Sequence, residues 1–330
     1  MNDNLKKRID WLDIAKGITI FCIVLGHIVE NKIIYTILYS FHLPIFMFIS
    51  GYLYKKRKIG EFAKRKFKSV MVPYLFFGIL EILYFYMFEV NYREYTPIKE
   101  SFLGLITGNY DWLDFNTHLW YLPFFFMVSN IYNILENIFD NDRIPRIIFL
   151  IIAVLGIFIK IPNLPFSINR FELMAYFALG DFISSKVDLD KAFSKCERKK
   201  LKMCSLISFI VVITMNICKA NKFGLEYIIG TLGINGILMV SYLLNNKSKV
   251  MTDVGKDTLV ILCIHGPIYR VIIKVISILF KISTDIIRKS VLLSSGIAIL
   301  DIAICLIIYK LLEKTIPWSI GKNKIRNKRK

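Results

Sequence analysis

Apolar runs of membrane-crossing length recur along the whole chain, separated by short polar stretches rich in lysine and arginine. A helix needs about 20 consecutive apolar residues to cross a bilayer core. Windowing at that length predicts about ten spans, near 12–34, 36–54, 70–90, 118–139, 144–161, 170–187, 202–219, 224–245, 256–280 and 290–312. Gly266-Pro267 is expected to interrupt the ninth. Between the second and third spans, residues 55–69 set apolar side chains at helical spacing among many cations, which predicts an amphipathic helix lying on the inner leaflet. The expected fold class is all-α. It is a polytopic transmembrane bundle, a single domain over 1–330 with a basic cytoplasmic tail at 313–330.

Charge refines this picture. The 330 residues are 55% hydrophobic and carry a formal net charge of +19. Such an excess could serve nucleic acid, but the cations sit between apolar spans, which disfavours that partner and points to membrane lipids. Lys6, Lys7 and Arg8 precede the first span. Lys55, Lys56, Arg57, Lys58, Lys64, Arg65, Lys66 and Lys68 follow the second, and Lys191, Lys195, Arg198, Lys199, Lys200 and Lys202 follow the sixth. Lys322, Lys324, Arg326, Lys328, Arg329 and Lys330 close the chain. Alternate connections thus hold nearly all the clusters, which predicts cytoplasmic termini and a multi-pass protein of the cell membrane. Lys281, Arg288 and Lys289 fall on the other side and break the pattern. No small-residue cleavage site follows the N-terminal cations, so the first span is expected to be retained. Cys22, Cys196, Cys204, Cys218, Cys263 and Cys305 form no C-x-x-C pair and read as small core residues.

The chemistry-bearing residues begin in the first span. Eleven helical steps bring His27 to within about 20° of Lys16, about 16 Å further along the axis. Asp13, Lys16, Ile20, Val24 and His27 make one polar-ended stripe. Ionisable groups at membrane depth usually face a protein interior or a wet cavity. The other histidines, His42, His118 and His265, fall with His27 in the outer half of the expected topology. Neither H-x-x-x-H nor H-E-x-x-H occurs, so no metal is expected. A neutral imidazole suits activation of a hydroxyl, and it needs a partner to fix its tautomer. Asp13, Glu81, Glu172, Asp181 and Asp301 are the carboxylates at depth, and the sequence leaves the partner open. Ser50 lacks a nucleophile elbow, and no phosphate-binding glycine loop is present. The connection 91–117 carries Tyr92, Tyr95, Tyr110 and Trp112 with Glu94, Asp111 and Asp114, a composition that suits either sugar rings or an interfacial aromatic belt.

Taken in order, several blocks resemble the integral-membrane acyltransferase family 3, in its fucose 4-O-acetylase-like branch. They are Trp11-Leu12-Asp13-Ile14-Ala15-Lys16-Gly17 running to Gly26-His27, then Ser40-Phe41-His42-Leu43-Pro44 to Ser50-Gly51-Tyr52. Lys64-Arg65-Lys66 with Val72-Pro73-Tyr74, and His118-Leu119-Trp120-Tyr121-Leu122-Pro123, follow. Pro165-Phe166-Ser167-Ile168 with Phe177-Ala178-Leu179-Gly180, and Gly255-Lys256-Asp257-Thr258-Leu259 with His265, complete the set.

The resemblance implies about ten helices, an acyl-CoA donor and O-acylation of a hydroxyl on a cell-surface glycan or lipid-linked sugar. It implies essential roles at the positions matched by Lys16 and His27. Many members carry arginine where this chain has Lys16, which keeps the cation and loses a two-pronged contact. The expected catalytic residue is His27, with Lys16 and Asp13 serving the donor or its channel. His42, His118, Trp120, Glu172, His265 and Arg65 are candidate supporting residues. The donor is expected to be acetyl-CoA, with no bound cofactor. The alternative is a transporter or exporter of small molecules or glycan precursors, which the same intramembrane charges would fit.

Overall fold

The computed structural model describes residues 9–110, 112–139, 141–159, 161–162, 164–219 and 224–323. The N-terminal cations Lys6, Lys7 and Arg8, the tail cations from Lys324 onward, and Asp111 lie outside the described residues. Among the described residues the protein is helical, with no strand.

The first span is α1 (Asp10–Ile28), which stops short of the 34 expected because an extended link, Val29–Asn31, leads into α2 (Lys32–Tyr39). Asn31 caps α2 by accepting from the backbone N–H groups of Ile33 and Ile34. A break at Ser40 and Phe41 separates α2 from α3 (His42–Tyr52). Next, α4 (Ile59–Lys66) runs through a π turn, Phe67–Met71, into α5 (Val72–Tyr84) and a second π turn, Phe85–Glu89. The stretch expected as a separate surface helix is therefore the start of a 31-residue helix. Pro73 accounts for the first π turn: it cannot donate to the carbonyl four residues back, and the widened turn shifts the ladder past it.

There follow α6 (Ile98–Thr107), a 3₁₀ turn at Asp114–Trp120, α7 (Tyr121–Ile138), α8 (Arg143–Phe158), α9 (Glu172–Lys186) and α10 (Leu189–Ser194). The rest comprises α11 (Arg198–Ile217), α12 (Leu225–Leu243), α13 (Lys249–Lys256), α14 (Thr258–Phe280), α15 (Thr284–Lys289) and α16 (Val291–Thr315). Gly266-Pro267 does not break the ninth span, because Pro267 lies inside a continuous α14.

Among the described residues, seven helices are long and apolar enough to cross a membrane: α1, α2–α3, α4–α5 with its π turns, α11, α12, α14 and α16. The other three expected spans are α7, α8 and α9, with 18, 16 and 15 residues, at or below the short end of a full crossing.

Buried over most of its length, α1 sits in the middle, against α2, α3, α12, α13, α14 and α16. Glycines set two close crossings. A Cβ on Gly17 or Gly255 would strike backbone where α1 meets α13, and one on Gly51 or Gly180 would do so where α3 meets α9.

Loops expected on a common face meet one another. At one end Trp11 Nε1 donates to Asp190 (3.0 Å), Leu189 N–H to Tyr52 Oη (3.1 Å), and Arg198 to the Leu243 carbonyl (3.0 Å). At the other, Arg288 pairs with Glu30 (2.6 Å) and Ser167 Oγ donates to the Gly108 carbonyl (3.0 Å). The bundle thus has two separate ends, and the distribution of cations says which should be cytoplasmic. In a background lacking the native cysteines, Tyr92→Cys should react with an impermeant thiol reagent on intact cells, and Gly60→Cys should react only after permeabilisation. Both positions are exposed. The opposite labelling would invert the topology.

Candidate active site

The end of the bundle away from Lys16 encloses a cavity of about 940 Å³. Its walls come from α1, α2–α3, the Asp114–Trp120 turn, α9 and α12, and they include His27, His42, His118, Trp120 and Glu172. Five of the residues singled out from the sequence therefore share one chamber. Tyrosines 35, 39, 110, 121, 176 and 227 supply much of the remaining wall, so aromatic faces alternate with hydroxyl groups. A second cavity, of about 370 Å³, also reaches His27, Tyr35 and Tyr39, and opens beside Glu30, Lys32 and Arg288. His27 thus borders both chambers. Tyr35 and Tyr39 stack in the wall between them, with ring centroids 3.9 Å apart.

Backbone carbonyls and a carboxylate fix the tautomers of three imidazoles. A carbonyl only accepts, so a ring nitrogen beside one carries the hydrogen. At the break after α2, His42 Nδ1 donates to the Leu38 carbonyl at 2.7 Å, which also accepts the Phe41 N–H at 3.4 Å. His265 Nδ1 donates to the Ile261 and Leu262 carbonyls, both at 3.0 Å, leaving Nε2 buried without a partner among the described residues. His118 Nε2 donates to Glu81 Oε1 at 3.2 Å and leans toward the Cys263 carbonyl at 3.4 Å. His27 Nδ1 lies 3.5 Å from the Tyr39 hydroxyl.

Pro267 and Gly266 explain how His118 reaches this position. Pro267 has no N–H, so the Cys263 carbonyl four residues earlier loses its helical donor, and His118 stands in. Gly266 leaves the room: a Cβ there would lie 2.6 Å from His118 Cε1. The dipeptide expected to break a helix instead seats an imidazole against an unbroken one. The His118 ring centroid is 4.9 Å from that of His265, which is 5.2 Å from that of His27, while His27 and His118 are 6.4 Å apart. Among the described residues no group of three such side chains could hold a metal ion.

The other expected site residues lie elsewhere. Lys16 pairs with Asp13 at 2.5 Å near the crossing of α1 and α13, and neither lines these two cavities. His265 stands behind His27 and His118, outside the lining. Arg65 is exposed on α4. Asp181 is held by Arg146 (2.6 Å) and Tyr132 (2.7 Å), and Asp301 accepts from the Cys305 thiol (3.3 Å). Within the 91–117 connection, Tyr110 and Thr117 line the larger cavity, whereas Tyr92, Tyr95 and Trp112 are exposed outside it.

Two participants were missed from the sequence. Tyr39 lies four residues after Tyr35 and three before His42, a spacing that puts all three near one side of a helix. Arg170 lines the larger cavity with its guanidinium over Tyr110 (5.0 Å) and Trp120 (5.5 Å), a contact between distant segments that no local pattern signals.

Residues 9–310 match a family model described as an acyltransferase domain, that of acyltransferase family 3. No curated protein and no solved structure matches the chain.

Gly266→Ala should destabilise the purified protein by about 1–3 kcal/mol, since the new methyl group collides with His118. Gly296→Ala is the control: its Cβ would meet nothing, and helix propensity favours it by about 1 kcal/mol. Thermal unfolding in detergent reads both. Equal midpoints would show that His118 does not need the space at Gly266.

Proposed function

We propose, from the premise that the chain belongs to acyltransferase family 3, that it moves an acetyl group from acetyl-CoA to a hydroxyl of a cell-surface glycan or lipid-linked sugar. The observation that carries this reading is His27 bordering a chamber of about 940 Å³ whose wall alternates tyrosine rings with polar groups. Apolar ring faces pack against the C–H faces of a sugar, and hydroxyl, amide and guanidinium groups suit its oxygens. His27 accepts the proton of the acceptor hydroxyl as that oxygen attacks the acyl carbon. The carbon–sulfur bond then breaks, and the proton ends on the CoA sulfur. The sugar class follows the fucose 4-O-acetylase-like resemblance as well as the aromatic lining.

Lys16 is assigned to the donor. CoA is made in the cytoplasm, and the cations grouped at the Lys16 end of the bundle suit its phosphates. Lys16 and His27 lie about 16 Å apart along α1, a distance that the extended pantetheine arm can bridge. On this reading donor and acceptor approach from opposite faces of the cell membrane.

The test is release of free CoA by purified protein, given acetyl-CoA and glycan prepared from cells lacking the gene. His27→Ala should lower release at least about 100-fold while the protein still inserts and purifies. Near-parental release would remove His27 from the chemistry. Lys16→Ala should weaken acetyl-CoA binding about tenfold, and Lys16→Arg should retain most of it. Unchanged donor affinity in Lys16→Ala would leave Lys16 only its ion pair with Asp13.

A further inference from the structure

The buried Glu81–His118 pair has no part in the chemistry so far, and its geometry is unusual for a pair kept for stability alone. Glu81 Oε1 takes the His118 Nε2 hydrogen at 3.2 Å, while Glu81 Oε2 is buried with no partner among the described residues. An unsatisfied buried carboxylate oxygen is costly, and apolar packing would serve stability better. The same hydrogen bond leaves His118 Nδ1 as the ring's second nitrogen. It makes no hydrogen bond among the described residues, on a ring that lines the chamber. A carboxylate on one nitrogen and a reacting group at the other is the arrangement that orients an imidazole and offsets its positive charge. His27, by contrast, has Tyr39 and two imidazole rings as its near polar neighbours, and no carboxylate pairs with it among the described residues.

We propose that Glu81 is a positioning residue that holds His118 as the second proton-transfer group of the site, opposite His27. The proposal rests on the acyl-transfer reading and divides its proton traffic between two rings. As the acceptor oxygen bonds to the acyl carbon, His27 takes the hydroxyl proton. As the carbon–sulfur bond breaks, protonated His118 gives its Nδ1 proton to the departing sulfur, which leaves as the free thiol. The cycle closes when the proton on His27 passes to His118 through water in the chamber they share. Atoms and charge balance, and no further reactant is required. The ring centroids lie 6.4 Å apart and both residues line the chamber, near enough for the two rings to reach one reacting group held there. The assignment also gives Pro267 and Gly266 a purpose: together they fix the height and tilt of His118 against α14.

The test is a double-mutant cycle on CoA release, with acetyl-CoA as donor and glycan from gene-deleted cells as acceptor. Glu81→Gln and His118→Gln should each lower kcat at least about tenfold, with KM for acetyl-CoA within about twofold of the parent. Glu81→Gln should add nothing further in the His118→Gln background, because Glu81 acts only through that ring. Size-exclusion profiles and unfolding midpoints check that each variant is intact. If a variant fails that check, Glu81→Asp, which keeps the charge, should recover part of the Glu81→Gln loss. Additive losses, losses confined to KM, or unchanged kcat in Glu81→Gln would overturn the proposal. A parent protein that releases no CoA would instead overturn the acyl-transfer reading beneath it.

Discussion

A polar group inside a membrane bundle has no bulk water to bond with, so the protein must supply its partner. That constraint explains most of what surrounds the histidines. The Cys263 carbonyl, deprived of a donor by Pro267, takes a share of the His118 hydrogen. The Leu38 carbonyl, where α2 breaks, takes that of His42 beside the Phe41 N–H. His265 turns back onto its own helix. Each of these bonds sets which ring nitrogen keeps its lone pair.

The same constraint separates the two ends of α1. At one end Lys16 and Asp13 neutralise each other beside the tight crossing with α13, where Gly17 and Gly255 allow backbones to touch. At the other end, packing gives way to two chambers that share His27, Tyr35 and Tyr39. The central helix therefore passes from a closed, ion-paired base to an open, aromatic mouth. Cation-rich loops gather around the first and tyrosines around the second. On the proposed function, that asymmetry matches two substrates that differ in charge and in side of approach.

Much of this was legible in the sequence because membrane helices announce themselves by length and apolarity. The positions of α11, α12, α14 and α16 follow the hydrophobic windows to within a few residues. Boundaries failed where backbone chemistry overrode hydropathy. Asn31 caps a new helix inside an apolar run, the π turn Phe67–Met71 ahead of Pro73 joins two helices expected to be separate, and α14 continues through Pro267, with His118 near the carbonyl that Pro267 leaves without a donor. His27, His42, His118, Trp120 and Glu172 could be singled out by residue type, yet their convergence is tertiary. The pairing of Glu81 with His118, rather than with His27, was beyond reach because it depends on how α5, α14 and the Asp114–Trp120 turn pack.

The central claim is that the chamber at His27 acylates a hydroxyl on a surface sugar. Mass spectrometry of surface glycans tests it in the cell, where acceptor and topology are native. Cells lacking the gene should show sugars lighter by one acetyl group per modified residue. Re-expression of the parent should restore that mass, and the His27→Ala form, at equal abundance, should not. Glycans of identical mass in all these strains, or full restoration by His27→Ala, would contradict it.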